Sequence, residues 1–504
     1  MIFTFHFVKY INKYKIWEEK ALRVKQKEKI SNIFGKIMKK YKEMPLICEF
    51  LITTIAIFGF NLYMGIGYES YFYDCSGYRT YGNELFQNGE YNLLNISDGF
   101  RGYIFPTLLG FSEVLDSLIG IDFQPICFKL FTSIITGYFF TWSIPKLVRD
   151  LFGCNKVIKR YKKIFNLLLI MIFFWGLFIY PLTDMLAMFL CINAVICIIS
   201  AMNTESIIKK IVLFALSGIL LYASYNVRSI YIFSVIMGFL MIMALSARRE
   251  GKRGIVYVLS FLLGIFLCSV PQIIINYHTL KKVSIMLPTN SLMVQQLEWG
   301  MYYQRYETYV GNVYNSPKLI FQDKSGLKIL EIVGNIESIK DYVLACLRYP
   351  FDFIGIYTRH IFNMFCPIYP EQYIFDLEKN RSGLFILNYS MLYVFVFWCT
   401  TNVKQNMANL VRKMNIDGLM VFFILLLPSV FIMPGAVEQR FSITIYVLIC
   451  SYMTYCIDYK LLIATIQEKW IECALTFVIG LCIALAIWGN TLSNLTISNL
   501  IIGY

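Results

Sequence analysis

Along the chain, long apolar runs alternate with shorter polar, mostly basic connections. A membrane-spanning helix needs about 20 mostly apolar residues. Eleven segments answer to that description, at roughly 46–67, 125–147, 164–181, 183–201, 209–226, 229–247, 254–276, 384–401, 417–435, 441–458 and 470–489. Two weaker stretches, 103–120 and 350–366, are interrupted by charges or proline and read as helices lying in the membrane interface. The pattern predicts an all-α polytopic membrane protein with about 11 transmembrane helices, within a range of 10–13.

Composition removes the other classes. Of 504 residues, 58% are hydrophobic and 15% charged, whereas a soluble domain is about 45–50% apolar and about 25% charged. So few charges cannot cover a water-soluble surface, and so apolar a chain is not disordered. The net charge of +14 does not imply nucleic acid, because its distribution is that of an orientation signal. If the N-terminus is cytoplasmic and eleven spans alternate, the inside pieces hold 30 of the 46 Lys and Arg residues, as the positive-inside bias requires. Residues 1–45 are then a cytoplasmic basic arm, and 46–504 form a single membrane domain in the cell membrane with two outer loops, 68–124 and 277–383. The long basic arm does not resemble a cleavable signal peptide.

The fourteen cysteines lie mostly inside apolar runs, where Cys is a small buried hydrophobe. Cys75, Cys346 and Cys366 fall in loops, where a pair could bridge. Three histidines exclude a His-rich metal site. No cofactor is required by the sequence, and nothing in it supports a divalent metal. P-loop, G-x-S-x-G and H-E-x-x-H motifs are absent. Tyr302, Tyr303, Tyr306 and Tyr309 suit a headgroup-level aromatic belt.

Ionisable residues at membrane ends are functional candidates, because burying charge in lipid is costly. Asp74 follows the first span within Tyr71-Phe72-Tyr73-Asp74-Cys75-Ser76-Gly77-Tyr78. Tyr78, Gly82 and Leu85 then recur on one helical face, and Gly89 sits where a C-terminal cap belongs. By position alone Asp74 is an N-cap or interface carboxylate. The order Asp74, Tyr78, Gly82, Leu85, Gly89 resembles the first outer loop of the GT-C membrane glycosyltransferases, which include protein O-mannosyltransferases and the lipid A aminoarabinose transferase. Arg101-Gly102-Tyr103-Ile104-Phe105-Pro106 resembles their "R-x-P-x-Y-P" region with altered spacing and one proline. Asp184 stands between the third and fourth spans, where relatives often carry an acid. Arg228 resembles an "R-P" turn without its proline, and Glu438-Gln439-Arg440-Phe441 resembles an "E-R-Y" motif with one insertion. The resemblance covers 45–275 and 434–450 and is thin from 277 to 415.

The resemblance implies a GT-C-like enzyme that moves a sugar from a polyprenyl-phosphate-linked donor to a glycan, lipid or protein acceptor on the outer face. Asp74 would be the general base of an inverting displacement. Arg228 and Arg440 would stabilise the departing phosphate, as planar guanidinium groups suit phosphate oxygens. Asp184, Glu438, Arg101, Tyr78 and His360 are further substrate-binding candidates, and Arg359 a weaker one. The plainer readings stand beside these: Arg228 and Arg440 as helix-end residues snorkelling to the interface, and Asp184 as a turn or N-cap residue. Two other functions share the architecture. An O-antigen- or capsule-type polysaccharide polymerase needs outer-loop arginines but no Asp after the first span. A lipid-linked glycan flippase or transporter expects charges near the bilayer midplane, whereas here they gather at helix ends.

Overall fold

The computed structural model describes residues 45–98, 100–121, 123–153, 158–249, 251–310, 318–366, 369–375, 382–401 and 416–498. The predicted basic arm therefore lies outside the described residues but for Pro45. The chain divides into two compact units, Met1–Thr53 and Thr54–Tyr504. The described part of the first is the opening of helix α1, Leu46–Tyr63. All that follows concerns the second.

Helix α2, Asp74–Leu85, leads through a hairpin, β1 Phe86–Gln87 and β2 Glu90–Tyr91, to α3, Ile104–Leu118. Then come α4, Ile126–Tyr138, a π-helical turn at Phe139–Ser143, α5, Ile144–Phe152, α6, Arg160–Phe174, and the short α7, Gly176–Ile179. Four long helices follow: α8, Thr183–Met202; α9, Ile207–Val227; α10, Ile232–Arg249; and α11, Gly254–Leu280. The next segment holds α12, Asn290–Tyr302; β3, Tyr303–Tyr309; β4, Lys318–Gln322; α13, Lys324–Val333; α14, Ile339–Arg348; α15, Pro350–Met364; and β5, Tyr373–Ile374. The chain then runs through α16, Ser382–Thr401; α17, Ile416–Phe431; α18, Ile443–Cys456; α19, Tyr459–Glu468; α20, Trp470–Ser493; and β6, Leu495–Ser498.

Helices stand at all eleven predicted spans. Seven of those described are by themselves long and apolar enough to cross a membrane: Leu46–Tyr63, Thr183–Met202, Ile207–Val227, Ser229–Arg248, Gly254–Leu280, Gly383–Thr401 and Trp470–Ser493. This is a mainly helical, multi-pass membrane protein. The other four are divided or short. The π turn splits the helix at 125–147, Trp175 separates α6 from α7, Gly418–Phe431 is short, and Gln439–Cys456 meets α19 at a 90° bend. Both weaker apolar stretches are helical, as α3 and α15.

The sequence pattern missed a four-stranded sheet of order β5-β3-β4-β6. β3 and β4 pair antiparallel, β3 and β5 parallel, and β6 closes the far edge against β4. Tyr303, Tyr306 and Tyr309, read as suiting a headgroup-level aromatic belt, lie on β3, and Tyr303 is buried. Gly89 also differs from expectation. Helix α2 ends at Leu85, and Asn88 (φ 54°) with Gly89 (φ 81°) forms the two-residue turn of the β1–β2 hairpin, the left-handed pair such turns require. The cysteines considered for a bridge are free, and Cys75 and Cys346 are helical.

The apolar core is continuous through the helical bundle, with Phe139, Ile144, Ile170, Phe173, Ile192 and Tyr446 all within 1% of full burial. One end of this bundle carries most of the candidate site residues. The ends of α9 and α11 and the starts of α8, α10, α16 and the Gln439 turn lie together there, tied by polar contacts. Ser224 Oγ donates to the Ala187 carbonyl at 2.7 Å, Asn226 Nδ2 to Gln272 Oε1 at 2.9 Å, and Asn388 Nδ2 to the Phe365 carbonyl at 2.7 Å.

Candidate active site

Asp74 is the first residue of α2, and the buried face of that helix, Cys75, Tyr78, Gly82 and Leu85, is the face read from the sequence. Its register follows from close packing, since a side chain at Gly82 would meet the Gly110 backbone of α3. Tyr73, just before Asp74, holds φ 46°. A bulky residue there costs about 1–3 kcal/mol and persists only where the surroundings over-determine it, as at functional sites.

Around Asp74 the structure gathers residues far apart in sequence. Arg101 Nη2 donates to Asp74 Oδ1 at 3.1 Å and Arg440 Nη2 to Asp74 Oδ2 at 2.9 Å, so each carboxylate oxygen holds one guanidinium. Arg101 also donates to the Tyr78 hydroxyl at 3.0 Å and lies 4.9 Å from the centre of that ring. Its loop is fixed by Gly102, where a Cβ would collide with the Asn226 carbonyl, and by Ile104 N–H donating to Asn226 Oδ1 at 3.0 Å. Arg440 sits in the turn Gln439–Ser442 ahead of α18. It contacts Glu438 at 2.9 Å and approaches Asp184 Oδ2 to 3.8 Å, too long for a hydrogen bond. Asp184, in the first turn of α8, pairs with Arg228, which joins α9 to the turn Ser229–Tyr231. Arg228 and Arg440 flank one ring, with guanidinium carbons 4.5 Å and 5.5 Å from the centre of Phe441.

The result is one network of three carboxylates, Asp74, Asp184 and Glu438, and three guanidinium groups, Arg101, Arg228 and Arg440. Its formal charges balance. Asp184 is 2% exposed, while the Asp74 and Arg101 side chains remain 30% and 29% exposed, so the network opens at its Asp74–Arg101 side. Burial works against the Asp74 charge, but Arg440 and then Arg101 outweigh it and hold this carboxyl well below the usual range. Burial, reinforced by Arg440, pushes Arg228 down to about 10, which leaves it cationic at neutral pH.

Two cavities adjoin the network. A narrow cleft is lined by Asp184, Arg228, Arg440, Phe441, Tyr231 and Thr444, among others. A second cavity is apolar, with Phe105, Phe128, Phe139, Phe178 and Phe189 in its wall. The apolar cavity borders the network: the Phe105 ring of its wall packs edge-on at 5.0 Å against Tyr78, and its wall residues Leu182 and Met185 lie within two positions of Asp184 in the chain.

His360 is not brought to this network. It is fully buried on α15, with Nδ1 2.6 Å from the Met433 carbonyl and Nε2 3.0 Å from the Tyr303 carbonyl, and burial pushes its imidazole pKa down. Arg359 pairs with Asp323, which also caps α13. Sequence reasoning missed Arg305, whose side chain has 0% exposure. It pairs with Glu307, donates to the Asn363 and Cys366 carbonyls, and reaches Gln439 Oε1 at 3.3 Å, so it braces the turn that carries Arg440. Burial raises the Glu307 pKa, although Arg305 opposes this. An arginine in a tyrosine-rich run gave no signal of this role. Tyr373 was missed as well. Its hydroxyl donates to the Phe72 carbonyl at 2.7 Å and lies 2.9 Å from Cys75 Sγ, pinning the start of α2.

No family model matches the chain. No curated protein matches it either. Over 88% of its length it is similar to the crystal structure of the oligosaccharyltransferase of Archaeoglobus fulgidus in the apo form, at 14% identity and a TM-score of 0.41. The chain spans 55% of the length of that protein.

Proposed function

We propose that this protein is a membrane glycosyltransferase of GT-C type that moves a sugar from a polyprenyl-phosphate-linked donor to an acceptor on the outer face of the membrane. The observation that carries the reading is the meeting of Asp74 with Arg101 and Arg440 at the more exposed side of a charge-balanced network, beside an apolar cavity. A phosphate on an isoprenoid chain needs both surroundings at once: guanidinium groups for the head and an aromatic-lined space for the chain.

In this scheme Asp74 takes the proton of an acceptor hydroxyl or amine as that group attacks the anomeric carbon. The bond between the anomeric carbon and the phosphate oxygen breaks, and the phosphate leaves with the electron pair. The sugar is transferred with inversion, and no covalent enzyme intermediate forms. Arg440 and Arg228 meet the charge developing on the leaving oxygen. Because the network is already neutral, an arriving phosphate exchanges places with a carboxylate at one guanidinium rather than adding to an excess of positive charge. Arg101 is suited to that exchange, being the most exposed of the three and partly held by the neutral Tyr78. The N-terminus and the 248–253 cluster are cytoplasmic in this reading, and the network lies outside.

The test uses membranes containing the full chain and a panel of radiolabelled polyprenyl-phosphate hexoses. Consumption of one member with release of polyprenyl phosphate is expected, and Asp74→Asn, which preserves size, should lower it about 10²–10⁴-fold. Equal turnover by the Asn variant would remove Asp74 from the chemistry.

A further inference from the structure

The helices α13, α14 and α15 share a small core with Met301 of α12, built around Ile329, Tyr342, Ala345, Phe353 and Ile356. Their outer face is also apolar. Ile339, Val343, Leu344 and Leu347 of α14 and Phe351 and Ile354 of α15 are all exposed, Phe351 at 85% and Leu347 at 73%. Residues 339, 343 and 347 recur at four-residue intervals, one stripe of a helix, and Pro350 starts α15 directly after α14 ends. Helix α14 is therefore apolar on two sides. Tyr342 and Ala345 serve the small core, and the second stripe has no protein partner among the described residues. An apolar patch of this kind marks an interaction surface.

Its surroundings say what covers it. The far end of α15 is held by the ends of three membrane helices. The Phe365 carbonyl accepts from Tyr446 of α18 at 2.8 Å and from Asn388 of α16 at 2.7 Å. Asn363 reaches Thr491 of α20 at 3.4 Å, two residues before α20 ends. The patch-bearing α14 is itself held beside the end of a membrane helix, since the Tyr342 hydroxyl donates to the Pro434 carbonyl at 3.3 Å, three residues past the end of α17. Exposed Lys340 and Arg348 border the stripe, as amphipathic helices at a lipid surface commonly have it. The exposed acids Glu337 and Asp352 border it too, so attraction to anionic lipid is not the driving term.

We infer that α14 and the start of α15 form a lipid-inserted foot, with Leu347 and Phe351 reaching below the headgroups of the leaflet on the network's side of the bundle. The partner is the bilayer of this membrane, not a second copy of the chain. The inference stands apart from the proposed enzymatic activity.

Site-specific photocrosslinking tests it. p-Benzoylphenylalanine is placed at Phe351 or, separately, at Leu347 in the full chain. The protein is put into nanodiscs of phosphatidylcholine and phosphatidylglycerol in a 3:1 ratio and irradiated, and peptide masses are read. The same label at Leu475 of α20 calibrates lipid capture. Lipid adducts at both positions, at yields within about threefold of Leu475, are the expected result. Adducts at Leu475 but none at either foot position would overturn the inference, as would covalent dimers formed through Phe351.

Discussion

Arg440 is the residue whose removal should be felt most widely. It contacts Asp74, Glu438 and Asp184 and is only 12% exposed. Replacing it with alanine leaves three carboxylates facing two guanidinium groups at a site largely closed to water. Removing one partner of a buried pair costs about 3–5 kcal/mol, chiefly because the other charge stays behind uncompensated. Arg440→Lys keeps the charge but loses the fork, so one charge-assisted hydrogen bond is forfeited, roughly 1.5–3 kcal/mol. The diagnostic step is a double substitution. Asp74→Asn in the Arg440→Ala background removes the carboxylate that has lost one of its two guanidinium partners and should return about 1–3 kcal/mol, although the same change destabilises the otherwise native chain. Unfolding in mixed micelles of rising dodecyl sulfate fraction, followed by tryptophan fluorescence, gives all four corners of this cycle. A coupling within error of zero would mean that the two residues do not act together in the folded protein. A lysine variant as stable as the native chain and equally able to consume donor would make Arg440 a snorkelling helix-end residue and remove it from the phosphate site.

Three further outcomes follow from the geometry. The lowered Asp74 pKa means its ion pairs stabilise the fold fully above the ordinary carboxyl value of about 4 and lose that contribution as pH falls through the lower folded value; transfer should accordingly show no acid limb from Asp74 above about pH 5, and a limb near pH 6 would refute the clamp. Gly102→Ala forces its methyl group against the Asn226 carbonyl and must shift the Arg101 loop, with a stability loss of about 1–3 kcal/mol in the same micelle titration; an unaffected midpoint would show that the loop yields freely. A cysteine introduced at Lys328 should react with an impermeant maleimide added outside intact cells, and reaction only after permeabilisation would invert the proposed topology.

Much of the site could be read from the sequence because membrane chains advertise their ionisable residues. Against long apolar blocks, Asp74, Asp184, Arg228 and Arg440 stand out at helix ends, and positions at the same end of a bundle have few places to go. What could not be read is partnership. Nothing local says that Arg101 takes one oxygen of Asp74 and Arg440 the other, since the first contact spans 27 residues and the second 366, and both depend on how the elements pack. The segment from 277 to 383 resisted for a different reason. Its strands are short, and β4 is flanked by β3 and by β6 from the end of the chain. No run of alternating residues is long enough to announce such a sheet. Arg305 and His360 show the same ambiguity in opposite directions. In the sequence Arg305 is one charge among tyrosines, yet it is the buried brace of the Arg440 turn. His360 has the side chain of a ligand-binding residue, yet both its ring nitrogens face backbone carbonyls.

The Asp74–Arg440 contact spans 366 residues, and that separation bears on how the protein is made. A chain entering the membrane from its N-terminus presents Asp74 early, with only Arg101 close behind it. Asp184 and Arg228 arrive midway and can pair with each other. Glu438 and Arg440 come when most of the chain has already been synthesised, and the Arg305 brace waits just as long for Gln439. Until then one oxygen of Asp74 lacks its guanidinium and Arg305 lacks the last of its acceptors. The charges present before residue 438 are thus already matched in pairs, and what stays incomplete is the hydrogen bonding of Asp74 and Arg305. Delivery of the Gln439–Ser442 turn supplies both missing partners at once, so the last part of the chain to be made closes a network that its first part began.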